Sequence, residues 1–141
     1  MHEQITIQQK AQFHTRMFMS TLDEWSGTLK LFFILSTGAV VLLVPLVVAY
    51  HGPRLAQTFL ALSILSFGIG SSSCLNLLMG LVNFRGLVTT ALVTGMSELE
   101  VMDKLIAWDK EMKKQGKRVQ VLLLAGMLFA ALFVAMIVIM K

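Results

Sequence analysis

Residues 55–82 read LAQTFLALSILSFGIGSSSCLNLLMGLV and contain no charged side chain. A helix needs roughly 20 apolar residues to cross a hydrocarbon core about 30 Å thick, so this stretch is long enough to span a membrane. Residues 31–50 and 119–140 are also uncharged and meet the same requirement. The sequence therefore predicts an all-α integral membrane protein with three transmembrane helices.

The composition of the chain supports this class. The 141 residues are 56% hydrophobic and 14% charged, whereas soluble domains carry about 25% charged residues. This balance excludes an ordinary soluble enzyme, and it also excludes a disordered tail, which would be poor in apolar residues. The single cysteine, Cys74, excludes an intramolecular disulfide framework and cannot by itself form a structural zinc site.

The spans divide the chain into four segments. Residues 1–30 precede a transmembrane hairpin over 31–82, with spans at 31–50 and 55–82. A polar segment over 83–118 separates this hairpin from the third span at 119–141. Residues 83–86 (NFRG) are predicted to mark the membrane exit of the second span, because a helix over 55–96 is far longer than a tilted span needs. Residues 87–96 are too short to span and are interpreted as an interfacial or re-entrant piece.

Two polar segments are predicted to be helical. Residues 97–118 begin with a capping box, Ser97 and Glu100, and end in a basic run, which together indicate a juxtamembrane helix. Residues 1–30 place apolar side chains, among them Leu22, Trp25 and Leu29, on one narrow helical stripe. This stripe predicts an N-terminal amphipathic helix, which either lies on the membrane surface or packs on neighbouring helices.

The basic residues are distributed asymmetrically between the two sides of the membrane. Ten of the twelve lysines and arginines fall in residues 1–30 and 83–118, whereas Arg54 and Lys141 fall on the other side. Cytoplasmic segments carry the excess of such residues. We expect a protein of the bacterial inner membrane with a cytoplasmic N-terminus and the C-terminus outside.

Small and polar residues gather on one side of the second span and recur in the third. Small side chains let helix backbones approach closely, and serine or asparagine can form hydrogen bonds between helices. The opposite side of the second span is apolar and is predicted to face lipid. The predicted helix–helix interface consists of Ser63, Ser66, Gly70, Ser73, Asn76, Gly80, Gly126 and Ala130.

Aromatic and basic residues near the ends of the spans are predicted to contact lipid headgroups or a partner. Tryptophan is enriched at membrane interfaces, and lysine or arginine near an anionic surface contributes on the order of 1 kcal/mol. As an alternative to such a contact, the basic run is explained by its role as the topology signal alone. The residues concerned are Trp25, Trp108, Lys113, Lys114, Lys117 and Arg118.

Ionisable residues are missing from all three spans, which disfavours proton-coupled transport. The sequence contains no catalytic constellation, so we predict no enzyme activity, no catalytic residue, no metal and no cofactor. The isoelectric point near 9.5 comes from juxtamembrane charges without a stacking platform, so nucleic acid is not an expected partner. His51 beside Tyr50 is interpreted as a turn residue, with a quinone contact as the alternative.

These features favour a small structural or regulatory subunit of a larger membrane assembly, which packs through the Ser/Gly/Asn face of its second span. Its expected partners are the lipid bilayer and other membrane subunits or copies of itself. One alternative is a homo-oligomeric pore or carrier lined by that face. Another is a quinone-linked anchor of an electron-transfer complex. The layout superficially resembles the small cytochrome b anchor subunits of respiratory complexes, but their histidine within a span is missing here, and no site is transferred.

The charge asymmetry yields a topology prediction. A cysteine introduced as Gln115→Cys in a Cys74→Ser background should react with a membrane-impermeant maleimide only after the cytoplasmic side is opened. A cysteine introduced at Lys141 should react in intact cells and serves as the control for the opposite side. Labelling of position 115 from outside intact cells would reverse the predicted orientation.

Overall fold

Three long α-helices make up the described part of the chain, and they confirm the all-α class with three candidate spans. The computed structural model describes the backbone of residues 2–93 and 98–139, and the side chains of residues 16, 19–91, 103–104 and 106–139. The helices are α1 (His2–Ala49), α2 (Arg54–Val93) and α3 (Glu98–Ile139). Ser97 of the predicted capping box and the C-terminal Lys141 lie outside the described residues.

The chain runs up, down and up again, so that α2 lies antiparallel to both of its neighbours. A short turn over residues 50–53 joins α1 to α2. The backbone N–H of Tyr50 donates to the carbonyl of Leu46 (2.9 Å), and the side chain of Gln57 donates to the carbonyl of Tyr50 (3.4 Å). The Tyr50 ring then meets Phe133 of α3 edge-on at 5.1 Å between ring centroids. This turn therefore ties together the ends of all three helices.

Each helix is about twice as long as a membrane span. The helices contain 48, 40 and 42 residues, which corresponds to roughly 60–70 Å at 1.5 Å per residue, against a hydrocarbon core of about 30 Å. The N-terminal segment and the basic segment are helical as expected, but they continue α1 and α3 without a break. Residues 87–93 likewise form the last turns of α2 and are not a separate piece, while residues 94–97 lie outside the described part.

The buried positions of α2 follow a seven-residue repeat. Apart from one interval of seven between Cys74 and Leu81, their spacing alternates between three and four residues, which is the pattern of left-handed coiled-coil packing. In α1, Leu22, Leu29 and Ser36 are buried at intervals of seven, and α3 shows the same alternation. A single stripe of α2 thus packs against both neighbours; its buried members are Ala56, Leu60, Ser63, Phe67, Gly70, Cys74, Leu81, Phe84, Val88 and Ala91.

Buried side chains form successive layers along the bundle. Leu22 packs with Phe84 and Val88 near one end. The next layers join Leu29 with Leu81 and Met112, and Cys74 with Val119 and Leu123. A final layer contains Ala56, Leu60 and Phe133 near the turn. These layers fix how far along each helix a given residue lies relative to the other two.

Gly126 provides a test of this packing. A Cβ atom at Gly126 would lie 3.0 Å from the ring of Phe67, so Gly126→Ala should destabilise the bundle by about 1–3 kcal/mol through overpacking. Gly38→Ala is the matched control, because nothing lies within 4 Å of a Cβ there. Thermal unfolding in detergent, followed by circular dichroism, should show a lower Tm for the first variant alone. Equal Tm values would contradict the packing described here.

Candidate helix-docking surface on the second helix

Part of the predicted helix–helix interface lies between helices of the same chain. The hydroxyl of Ser63 donates to the carbonyl of Gly126 over 2.9 Å, and both residues are buried. A Cβ at Gly70 would lie 3.8 Å from the Cβ of Leu122 in α3. These small residues therefore serve the α2–α3 contact within one chain.

The other members of the predicted interface remain partly or fully accessible. Ser66, Ser73, Gly80 and Ala130 are half-buried, and Asn76 is exposed. Ser66, Ser73 and Gly80 are seven residues apart, as are Ile69, Asn76 and Asn83, so together they form a second stripe on α2. We call this set, completed by Leu87, the outer stripe: Ser66, Ile69, Ser73, Asn76, Gly80, Asn83 and Leu87.

Contacts on the two flanks of α2 show which part of the outer stripe its neighbours leave uncovered. On the α1 side, Ser71 shares a 2.8 Å hydrogen bond with Thr37, and Arg85 forms an ion pair with Asp23. On the α3 side, Phe59 stacks against Phe129 with ring centroids 6.5 Å apart. Phe59 is seven residues before Ser66, so the half-buried row of Ser66, Ser73 and Gly80 borders α3, whereas Asn76 and Asn83 lie further from α3 and are exposed.

The amide groups of Asn76 and Asn83 make no hydrogen bond to any other residue in the described part of the chain. Both are exposed. An amide in an apolar environment without a hydrogen-bond partner costs several kcal/mol, roughly 2–7 depending on the reference state. These two side chains therefore need either water or a partner from another helix.

The charges on α1 and α3 end at a common level of the bundle. In α1 the last charged residue before the apolar stretch is Lys30, and in α3 it is Arg118. In α1, Lys30 comes directly after Leu29, which lies in the layer with Leu81. In α3, Arg118 comes directly before Val119, which lies in the layer with Cys74. On α2 this charge boundary falls between Cys74 and Leu81, close to Asn76. This level lies one to two turns before residues 83–86, whose role as membrane exit stays a prediction.

Both tryptophans assigned to lipid or partner contacts lie between helices of the bundle. Trp25 packs over Gly116, where a Cβ would approach its ring to 3.0 Å. Trp108 stacks on Phe84 with a centroid distance of 4.4 Å and an interplanar angle of 9°. Both are half-buried, so much of their surface is used inside the chain. The seven-residue repeat is the sequence signal for these contacts.

The basic residues of the predicted headgroup contact remain outside. Lys113 forms an ion pair with Asp109 at 2.6 Å, one helical turn earlier. Lys114, Lys117 and Arg118 are exposed. The structure therefore leaves these cations accessible near the charge boundary, as contact with a charged surface requires.

Several polar contacts were not predicted from the sequence. The pair of Thr37 and Ser71 and the ion pair of Asp23 and Arg85 both join α1 to α2. In the turn, Nδ1 of exposed His51 lies 3.2 Å from the carbonyl oxygen of Ala49, which accords with a turn residue. Within the described part of the chain, no group of three or more His, Cys, Asp or Glu residues is placed to hold a metal ion.

Comparison of the chain with protein-family models, with curated proteins and with solved structures gives no match.

The division between buried and outer stripes can be tested on the isolated chain. Gly70→Leu should destabilise the bundle by about 1–3 kcal/mol, because the larger side chain must fit between α2 and α3. Gly80→Leu should leave stability unchanged or slightly higher, since nothing lies within 4 Å of a Cβ there. Both variants should be unfolded in excess detergent, where chains are dispersed. A larger loss for Gly80→Leu would mean that the two stripes are misassigned.

Proposed function

We propose that this chain is a small structural or regulatory subunit of a larger membrane assembly, and that it docks onto neighbouring transmembrane helices through the outer stripe. The observation that carries this proposal is the exposure of two unbonded asparagine amides among small residues on the outer surface of α2. The partners are the lipid bilayer and other membrane subunits or copies of the chain. We place it in a bacterial inner membrane with its basic end in the cytoplasm.

Within the membrane, the outer stripe combines the two features that favour helix association. Ser66 and Ser73 are small enough to let another backbone approach closely, and Asn76 offers hydrogen bonds across the contact. Such bonds contribute about 0.6–2 kcal/mol each in lipid. Apolar residues alone would give no preference for protein over lipid tails, so these polar and small side chains favour a helix as the neighbour.

Beyond the charge boundary, the outer stripe still exposes a large apolar side chain. Leu87 has a relative exposure of 47%, and it lies beside the charged halves of α1 and α3. Apolar surface that lipid does not reach is a mark of a protein contact. A partner helix that follows α2 across the boundary would satisfy both the amides and this apolar surface.

Purification of the tagged chain in a mild detergent tests the proposal. The wild type should elute as a particle larger than one chain. Gly80→Leu should weaken association on the order of tenfold, because overpacking a close helix crossing costs about 1–3 kcal/mol. Gly68→Leu is the matched control: it also lies on α2 with nothing within 4 Å of a Cβ, but it is outside the outer stripe and should associate like the wild type.

Two results would contradict the proposal. A wild-type chain that stays monomeric in mild detergent and in membranes has no assembly to join. Ion or solute flux through vesicles that contain the purified wild type, abolished by Asn76→Leu with the oligomer intact, would instead favour a pore lined by the same face.

A further inference from the structure

We propose that the outer stripe is occupied by a second copy of this chain in the same orientation, forming a symmetric parallel pair of α2 helices. In this pair, Asn76 faces Asn76 and Asn83 faces Asn83 of the second copy. The inference rests on the proposed function, because it names the partner of the same surface.

The spacing of the outer stripe is that of a helix pair. Its members alternate at intervals of three and four residues from Ser66 to Leu87, as the core of a left-handed two-helix coil does. One row holds Ile69, Asn76 and Asn83, and the other holds Ser66, Ser73 and Gly80. The row of small residues permits close approach of the backbones, and the row with asparagines supplies hydrogen bonds.

Membrane topology makes a second copy the matching partner. Copies inserted with the same orientation place identical residues at identical depth. In a parallel pair around a two-fold axis, each asparagine amide can donate to and accept from its counterpart, and such an asparagine fixes register. An unrelated helix would need suitable polar groups at two depths about 10 Å apart, the rise of seven residues at 1.5 Å each.

Charge also permits contact between copies through this face. The chain carries a net charge of +4, and the outer surface of α3 presents Lys110, Lys114, Lys117 and Arg118, all exposed. Two copies that met through this basic part of α3 would bring like charges close together. The outer stripe contains no charged residue, and Arg85 is held on the other flank of α2 by Asp23. Two copies can therefore approach through α2 without opposing like charges.

The stripe also extends across the charge boundary. Ser66, Ile69 and Ser73 lie on the apolar side, whereas Gly80, Asn83 and Leu87 lie beside the charged halves of α1 and α3. Lipid tails can cover only the first group. A second α2 helix of the same length covers both groups.

Disulfide cross-linking in native membranes tests the pair. In a Cys74→Ser background, Ile69→Cys keeps both asparagines, and Asn83→Cys keeps Asn76. Cα atoms in such a pair should fall within the roughly 7 Å that a disulfide can bridge. Copper phenanthroline oxidation should convert most of each variant to a species of twice the chain mass. The controls Leu78→Cys, on the flank facing α1, and Val121→Cys, on the exposed face of α3, should give at least about fivefold less.

The role of the asparagine is tested in the same assay. Adding Asn76→Leu to the Ile69→Cys variant should weaken dimerisation about 3- to 30-fold, which corresponds to the loss of one interhelical hydrogen bond of about 0.6–2 kcal/mol. Adding Met79→Leu, an exposed position outside the stripe, should leave it unchanged. Equal effects of the two substitutions would overturn the proposed asparagine pairing.

The outcomes separate this inference from the proposed function. Cross-linking of Ile69→Cys to a different protein overturns the second copy as partner and leaves the subunit function in place. Equal cross-linking at position 121 shows random collision and overturns the pair. Absence of any cross-linked species at 69 and 83, together with a monomeric wild type, overturns both the pair and the subunit function.

Discussion

The architecture depends on one stripe of α2 remaining in contact with two helices over 40 residues. A straight α-helix drifts by about 20° per heptad relative to a seven-residue repeat, which accumulates to roughly 100° over five heptads. The stripe stays in contact only if the helices coil gently around one another. Within the stripe, small residues lie where a neighbouring helix or a large side chain comes close. Gly126 accommodates the Phe67 ring, and Ser63 reaches the Gly126 carbonyl.

Because the three helices are continuous, the apolar and the charged halves of the chain form one packed unit. The layer of Leu29, Leu81 and Met112 lies next to the layer of Cys74 and Val119, and the last charges of α1 and α3 fall between them. The buried stripe continues unchanged across this boundary, since aliphatic and aromatic contacts extend from the turn to Leu22. Only the outer surface differs on the two sides, being charged on one and apolar on the other. Asn76 therefore lies at the charge boundary and not at mid-span.

The fold class followed from the sequence because length and hydrophobicity determine a transmembrane helix. The division of the small residues into a buried and an outer stripe did not follow from the sequence, and the reason is geometric. On a wheel of 3.6 residues per turn, Ser63 and Gly70 merge with Ser66 and Ser73 into one broad face. At the 3.5 residues per turn of a supercoil they separate into a buried and an outer stripe. Phe67 and Leu81 were not distinguishable from lipid-facing residues, because lipid tails and protein cores are equally apolar. Trp108 was assigned to the surface because its partner, Phe84, is remote in sequence.

Polar residues within the apolar part of this chain differ in how strongly they indicate a partner helix. A serine hydroxyl can bond to a carbonyl of its own helix, as Ser36 does with Phe32 at 2.8 Å, so a buried serine can be satisfied without a neighbour. An asparagine amide presents two donors and an acceptor, and a helix whose carbonyls already accept backbone bonds cannot satisfy all of them. The serines therefore permit close packing, whereas the amides of Asn76 and Asn83 need water or a partner helix opposite them. The two asparagines, more than the small residues around them, therefore mark the surface of the bundle on which a partner is proposed.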